Sequence, residues 1–209
     1  MHVDFYYSIG SRYSYLAASQ LDRIAADTGC RFAWRPVESP RLIARRPDDP
    51  FAGGPRTGAY APVYRSRDVA RWAALYAIPY VEPVVGVTFD SHVLALACTA
   101  ALRLGAVEAV SRGLYAALYG GSLDRIDEAV CTRVAAGCGL DAERFTAAMH
   151  DPATEAQLDA ALDAAERAGV FGVPTFVVEG ERFWGNDRLV LLRHHLLRSR
   201  TGAPGAPGA

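Results

Sequence analysis

The 209-residue sequence contains no lysine, so all 22 of its basic residues are arginines. They balance 23 acidic residues, which leaves a net charge of −1 at pH 7. A chain without excess positive charge lacks the electrostatic footprint of a protein that binds nucleic acid or anionic membrane. The absence of lysine also means that any anion site must use arginine side chains, backbone amides or helix ends.

Long apolar runs are missing as well. No uncharged stretch approaches the roughly 18 residues that a membrane-spanning helix needs. The N-terminus shows no basic segment followed by an apolar one, which is the pattern of a signal peptide. We therefore predict a cytoplasmic protein that associates with neither membrane nor nucleic acid.

Cysteine is scarce, and no two cysteines form a C-x-x-C pair. The four residues are Cys30, Cys98, Cys131 and Cys138. The spacing of the last two is unlike that of a zinc site, and the five histidines show no metal-binding spacing either, so we predict no metal. Alanines flank Cys98 and Cys131, which indicates small, buried apolar residues in a reduced protein. His194 and His195 are expected on the surface.

The first 36 residues predict a strand, a helix and a second strand. Residues 3–7 alternate in polarity, and residues from about Ser14 onward show the apolar spacing of one helix face. Gly29 is suited to end that helix, and residues 31–35 alternate again before Pro36. A βαβ unit of this kind pairs its two strands in parallel through a right-handed crossover.

The middle of the chain is mainly helical. Residues 39–58 mix prolines with four arginines and show no periodicity, which predicts an exposed loop. Helical patterns then cover residues 66–77, 91–104, 107–119, 124–137, 141–149 and 153–168. This block therefore predicts a large all-helical insertion.

The end of the chain returns to β-structure. Residues 172–178 and 182–184 predict an antiparallel hairpin, and a last helix follows. The predicted protein is thus α/β, with a discontinuous domain at 1–38 and 169–200. A loop plus helical insertion domain covers 39–168, and 201–209 is a flexible tail. With Gly-Val-Pro-Thr at 172–175, this order resembles the thioredoxin fold in its DsbA-like arrangement.

Redox members of that fold place C-x-x-C at the start of the first helix. The corresponding residues here are Ser11, Arg12, Tyr13 and Ser14, which contain no sulfur. Because disulfide exchange requires a protein thiolate, the sequence excludes a disulfide oxidoreductase.

Three segments carry a closer resemblance. Residues 3–17 (VDFYYSIGSRYSYLA), 172–176 (GVPTF) and 183–189 (FWGNDRL) are similar to segments of the 2-hydroxychromene-2-carboxylate isomerases and the related kappa-class glutathione transferases. Those families share S-P-[FY]-S-[YW]-L, G-V-P-T-F and F-[WF]-G-x-D-R-[LM] motifs in this order. Between them, Tyr64, Arg67, Asp68, Arg71 and Trp72 resemble the family's motif after the loop.

The resemblance implies a site for glutathione or another small thiol. Ser11 would be the catalytic residue, donating a hydrogen bond to the thiolate. Val173 and a cis-Pro174 would pair with the cysteinyl backbone, and Asn186 and Asp187 would hold the γ-glutamyl group.

Simpler roles for the same residues remain open. Ser11 or Ser14 could merely cap the first helix, and we expect Ser14 to be a cap. Asn186 and Asp187 could cap the last helix, and Pro174 could be an ordinary trans-proline at a strand edge.

Two features depart from the family pattern. Arg12 stands where the family usually has proline, and it could guide a substrate carboxylate, favour the thiolate or be solvated. The loop that carries lysine or asparagine in many relatives has arginines here, which leaves the identity of the thiol open. Tyr13 and Trp72 join Arg12 as predicted substrate-binding residues. Further aromatic residues that could line the pocket are Tyr6, Tyr7, Tyr15 and Tyr76.

The function implied by the resemblance is thiol-dependent isomerisation. A bound glutathione thiolate would add reversibly to a conjugated C=C bond of an aromatic or polycyclic substrate, and the enzyme would be a homodimer. Two alternatives stay open. The protein could be a kappa-class-like glutathione transferase, which consumes its thiol, or a non-catalytic or thiol-independent accessory or binding protein.

Overall fold

The computed structural model describes residues 1–45, 61–83, 86–121 and 123–200. Its strands are β1 (His2–Tyr7), β2 (Arg31–Pro36), β3 (Thr88–Phe89), β4 (Arg125–Ile126), β5 (Thr175–Val178) and β6 (Glu181–Trp184). Its helices are α1 (Arg12–Ala18), α2 (Leu21–Thr28), α3 (Ser39–Ala44), α4 (Pro62–Tyr76), α5 (Ser91–Arg103), α6 (Val107–Tyr119), α7 (Glu128–Gly137), α8 (Ala142–His150), α9 (Pro152–Arg167) and α10 (Leu189–Arg200). Within these ranges, none of the helices is long and apolar enough to cross a membrane.

The central sheet has four strands in the order β2-β1-β5-β6. β1 pairs with β2 in parallel, which confirms the predicted βαβ unit, and β5 pairs with β6 in the predicted antiparallel hairpin. β1 also pairs with β5, so that Phe5 lies between Trp34 and Phe176 in the register. The sheet therefore joins the two ends of the chain, and the predicted division into two domains stays a prediction.

Both faces of the sheet are covered. Phe5 and Tyr7 point to one face, where Phe5 stacks on Phe176 with 5.1 Å between ring centroids. The intervening Tyr6 packs on the opposite face against α3 and α9, with Leu42 and Leu162. Successive side chains of β1 therefore point to opposite faces of the sheet, as in any β-strand.

The predicted first helix is interrupted. α1 ends at Ala18 and α2 begins at Leu21, because the Ser19 hydroxyl bonds back to the Leu16 carbonyl at 2.7 Å. Serine side chains that bond to nearby backbone compete with the helical pattern in this way. Hydrophobic spacing alone continues across the break, so it predicted a single helix.

The segment predicted as a loop begins with a helix instead. Residues 39–44 form α3, with Pro40 in its first turn. A backbone N–H at that position has no partner within the helix, so its absence in proline costs no hydrogen bond. Arg41 bonds to Glu155 and Asp159, and Arg45 bonds to Asp163, so ion pairs hold α3 on α9. The rest of the predicted loop, from residue 46, and the predicted tail at 201–209 lie outside the described residues.

The insertion is helical as predicted, apart from two short strands. β3 and β4 pair in parallel over two residues each, Thr88 with Arg125 and Phe89 with Ile126. The predicted helix at 124–137 begins only after β4, where the Asp127 side chain accepts the Val130 N–H at 3.0 Å. Strands of two residues are too short to produce an alternating pattern, so the sequence does not reveal them.

Candidate functional site

Three segments that are far apart in the sequence meet at the start of α1. The Ser11 Oγ lies 3.5 Å from the Val173 carbonyl oxygen. The Gly185 N–H donates to the Pro174 carbonyl at 2.9 Å, and the turn at Asn186–Arg188 packs against α1. The Val173–Pro174 peptide bond is cis, as the resemblance implied. Ser11, Val173, Pro174 and the 186–187 pair therefore lie together at the start of α1.

Ser11 is the N-cap of α1. Its backbone is extended, with φ −90° and ψ 112°, and its Oγ accepts the Ser14 N–H at 3.2 Å. Because capping uses the oxygen as an acceptor, the Ser11 hydroxyl proton is still available for donation. Its contact with the Val173 carbonyl is at the limit of hydrogen-bond distance, so a better acceptor would displace it.

The expectation that Ser14 caps the helix is wrong. Ser14 lies within α1 and is fully buried, so its backbone N–H is the group that is capped. An N-cap residue must stand before the first helical residue with non-helical backbone angles, a position that Ser11 already holds.

Tyrosines from α6 support the loop that leads to Ser11. The Tyr115 hydroxyl donates to the Ser8 carbonyl at 3.4 Å, and the Tyr119 hydroxyl donates to the Ile9 carbonyl at 3.2 Å. Complete burial raises the pKa of both phenols well above the usual value, so both remain donors over the ordinary assay range. The helical insertion thus holds the β1–α1 loop from behind.

Four half-buried aromatic side chains form a surface beside α1, which we call the aromatic wall. They pack around Leu16 and are Tyr13, Trp72, Tyr76 and Tyr80. The Trp72 and Tyr76 rings are tilted, with centroids 5.4 Å apart. The wall brings together the two aromatic residues that were predicted to bind substrate, and α4 contributes half of it.

The remaining aromatic candidates lie elsewhere. Tyr7 is fully buried in the main core, with its hydroxyl 2.5 Å from Ser111 Oγ, so its predicted place in the pocket lining is wrong. Tyr6 is buried on the opposite face of the sheet. Tyr15 is stacked on Tyr119, with centroids 4.7 Å apart, and donates to the Pro79 carbonyl.

Arg12 is paired with an acidic residue that the sequence analysis did not identify. Its Nε and Nη2 donate to one oxygen of Glu82 at 2.8 and 2.6 Å, and the Tyr80 hydroxyl donates to the other oxygen at 2.7 Å. The Arg12 side chain is only 17% exposed, so the solvated-arginine alternative is wrong. Its Nη1 is not used in this pair and is the group it could offer to a substrate carboxylate.

A double-mutant cycle should detect the Arg12–Glu82 pair. We expect Arg12→Ala and Glu82→Ala each to destabilise the fold, since each removes the same partly buried ion pair. The double variant should lose less free energy of unfolding than the two single variants added together, with a coupling energy of about 1–2 kcal/mol. Urea unfolding of the four proteins measures it, and strictly additive losses would contradict the pairing.

Asn186 and Asp187 have different environments. Asn186 is 2% exposed; its Oδ1 accepts the Tyr76 hydroxyl at 3.2 Å, while its Nδ2 has no hydrogen-bond partner among the described residues. Asp187 is half-exposed and pairs with Arg188 at 2.8 Å. Gly185 precedes the turn as its N-cap residue, so neither side chain caps it.

The cysteines lie away from this site. All four are free; Cys98 and Cys131 are buried as predicted, Cys30 is buried as well, and Cys138 is half-buried. Burial raises the pKa of Cys98 to about 11 and that of Cys131 to about 12, so both thiols are inert at neutral pH. No cluster of metal-binding side chains occurs in the described part of the chain.

The loop arginines and a histidine of the last helix have partners on other elements. Arg41 and Arg45, which lie in the segment where many relatives carry lysine or asparagine, are both paired with α9. His195 is not simply a surface residue, because its ring packs on Phe183 with 5.4 Å between centroids, whereas His194 is exposed. The partners of Arg41, Arg45 and His195 lie on other elements, so the spacing within their own segments does not reveal them.

Comparison with known proteins supports the predicted fold and family. Residues 2–197 match the family described as DSBA-like thioredoxin domain. A 2-hydroxychromene-2-carboxylate isomerase of Sphingobium xenophagum is 32% identical over 201 residues, which cover 93% of this chain and 97% of that protein. One of Pseudomonas putida is 30% identical, with 92% of each chain covered.

Solved structures support the same fold. A 2-hydroxychromene-2-carboxylate isomerase superposes with a TM-score of 0.82 and 27% identity, over 98% of this chain and all of the other. A probable DsbA oxidoreductase of Streptomyces coelicolor has a TM-score of 0.70 and 19% identity, over 100% of this chain and 93% of the other. The predicted thioredoxin-like fold with a helical insertion is confirmed.

Proposed function

The chain belongs to the DsbA-like thioredoxin family and, within it, to the 2-hydroxychromene-2-carboxylate isomerases, and from this membership we propose that it is a glutathione-dependent isomerase. Its substrate is an aromatic or polycyclic compound with a conjugated C=C bond. The observation that carries the proposal is the Ser11 hydroxyl, which caps α1 with its oxygen and keeps its proton for a ligand.

The residues of the site fit a thiol of the glutathione type. A hydroxyl proton at Ser11 suits a thiolate, and the backbone of Val173 suits an extended peptide. The buried Asn186 Nδ2 has no partner in the described part of the chain, and buried donors in native proteins nearly always have one, so a ligand carboxylate would satisfy it. Asp187, which is half-exposed, would pair with an ammonium group.

A thiol bound there would supply a sulfur nucleophile for reversible addition to the conjugated C=C bond. The π electron pair would move into the conjugated system, which leaves a rotatable single bond, and would return when the sulfur leaves. The chain's own contribution is orientation and electrostatics. Ser11 stabilises negative charge on sulfur by hydrogen bonding, and it holds its proton throughout because a serine hydroxyl is a poor acid. The tyrosines of α6 fix the loop in which Ser11 lies.

The substrate would lie against the aromatic wall. Tyr13 and Trp72 are partly exposed aromatic residues, against which an aromatic substrate would pack. Arg12 would bind the substrate carboxylate through Nη1, while Glu82 keeps the guanidinium in place. We further propose a cytoplasmic homodimer, on the basis of the family resemblance.

Product analysis with and without thiol tests the function. We expect 2-hydroxychromene-2-carboxylate to be isomerised in the presence of glutathione, with the glutathione recovered in full. Stoichiometric loss of glutathione would identify a transferase instead. Turnover without any thiol would contradict the cofactor, and no turnover with or without glutathione would contradict the substrate class.

A further inference from the structure

The unpartnered amide of Asn186 lies next to a tyrosine from the helical insertion. Asn186 stands at the start of the last helical segment, and its Nδ2 is buried without a hydrogen-bond partner among the described residues. Its other amide atom, Oδ1, accepts the hydroxyl proton of Tyr76 at 3.2 Å, across 110 residues of sequence. An unsatisfied buried donor costs free energy, so its retention calls for an explanation.

Tyr76 engages one end of the Asn186 amide, its oxygen. A primary amide offers donors on nitrogen and acceptors on oxygen, and the two ends can exchange places by a rotation about χ2. With the Tyr76 hydroxyl donating to Oδ1, the nitrogen is the end left for a ligand. The ring of Tyr76 is itself held by Trp72 in the aromatic wall, which limits its movement.

We propose that Tyr76 is a positioning residue, which orients the Asn186 amide so that its Nδ2 donates to the α-carboxylate of the thiol's γ-glutamyl group. The inference rests on the proposed function. Asp187, the next residue, is a half-exposed carboxylate and suits the ammonium of the same group. The pair then recognises a free α-amino-acid end, so the site selects γ-glutamyl thiols over thiols that lack this end.

The test compares two thiols on two proteins by calorimetry. Glutathione carries the γ-glutamyl group, and cysteinylglycine is the same molecule without it. We expect Tyr76→Phe to weaken glutathione binding about 10-fold, because an unoriented amide loses a charge-assisted hydrogen bond. Binding of cysteinylglycine should change less than about twofold, within the spread of distant substitutions. Tyr64→Phe, which removes a hydroxyl from an exposed position on the same helix, should change neither.

Asn186→Ala distinguishes positioning from a general structural effect. If Tyr76 acts through Asn186, adding Tyr76→Phe to Asn186→Ala should produce no further loss of glutathione affinity. Equal losses for both thiols, additive losses in the double variant, or unchanged glutathione binding by Tyr76→Phe would each overturn the inference. If the unaltered protein binds neither thiol, the proposed function fails and the inference fails with it. If that protein binds both thiols equally, only the inference fails.

Discussion

Replacing Ser11 by alanine should lower the kcat of the proposed glutathione-dependent isomerisation by about 100- to 1,000-fold, which is the usual effect of removing one donor to a catalytic anion. Ser11 is the donor because its oxygen is already committed to the Ser14 N–H, so its proton is the group left for a ligand. Steady-state rates at saturating glutathione measure the loss. A variant with the kcat of the unaltered protein would contradict the proposed role.

Two further substitutions separate donation from capping. Ser11→Thr keeps both the cap and the hydroxyl proton, so we expect it to remain within about tenfold of the unaltered protein, a difference of about 1.4 kcal/mol. Ser11→Asp keeps a good N-cap acceptor but has no proton to donate, and its charge repels a thiolate. It should be at least as inactive as Ser11→Ala. An active aspartate variant would mean that Ser11 matters only as a cap.

The second large effect is a loss of stability in alkaline solution. Burial raises the pKa of Cys98 to about 11 and that of Cys131 to about 12, whereas a thiol in the unfolded chain titrates near about 8.5. Because the folded state requires the neutral thiols, their contribution is complete below the unfolded pKa and is lost as pH rises toward the folded pKa. Each thiol should lower the free energy of unfolding by about 1.4 kcal/mol per pH unit above pH 9.

Urea unfolding between pH 7 and 11 should therefore show a plateau followed by a loss of several kcal/mol. Burial raises the pKa of the phenols of Tyr7, Tyr115 and Tyr119 as well, so they steepen the loss at the highest pH. In Cys98→Ala the free energy of unfolding should fall less steeply between pH 9 and 11, because one of the two buried thiols no longer contributes. Constant stability up to pH 10.5 would contradict this account of the core.

The sequence predicted the sheet well because its signals are local. The alternating residues of β1, the glycine after α2 and the hairpin turn before β6 each act within a few residues. The same local signals missed the break between α1 and α2, where a serine hydroxyl competes for a backbone carbonyl. They also missed α3, which is held on α9 by ion pairs to residues more than 100 positions away.

In the candidate site, too, local motifs were predictable and long-range pairings were not. Ser11, Val173, Pro174 and Asn186 were predicted from contiguous motifs, and the fold brings those motifs together. The pairings that surround them were not predictable. Arg12 meets Glu82 across 70 residues, so nothing in the local sequence of either residue indicates the other.

The ionisation of bound glutathione tests the central claim most directly. The ultraviolet absorbance of the thiolate, followed across a pH titration, gives the pKa of the thiol on the protein. We expect a value at least one unit below the ordinary value of about 8.5 in the unaltered protein, and a return toward 8.5 in Ser11→Ala. A bound thiol with an ordinary pKa in both proteins would contradict the claim that Ser11 stabilises the thiolate of bound glutathione.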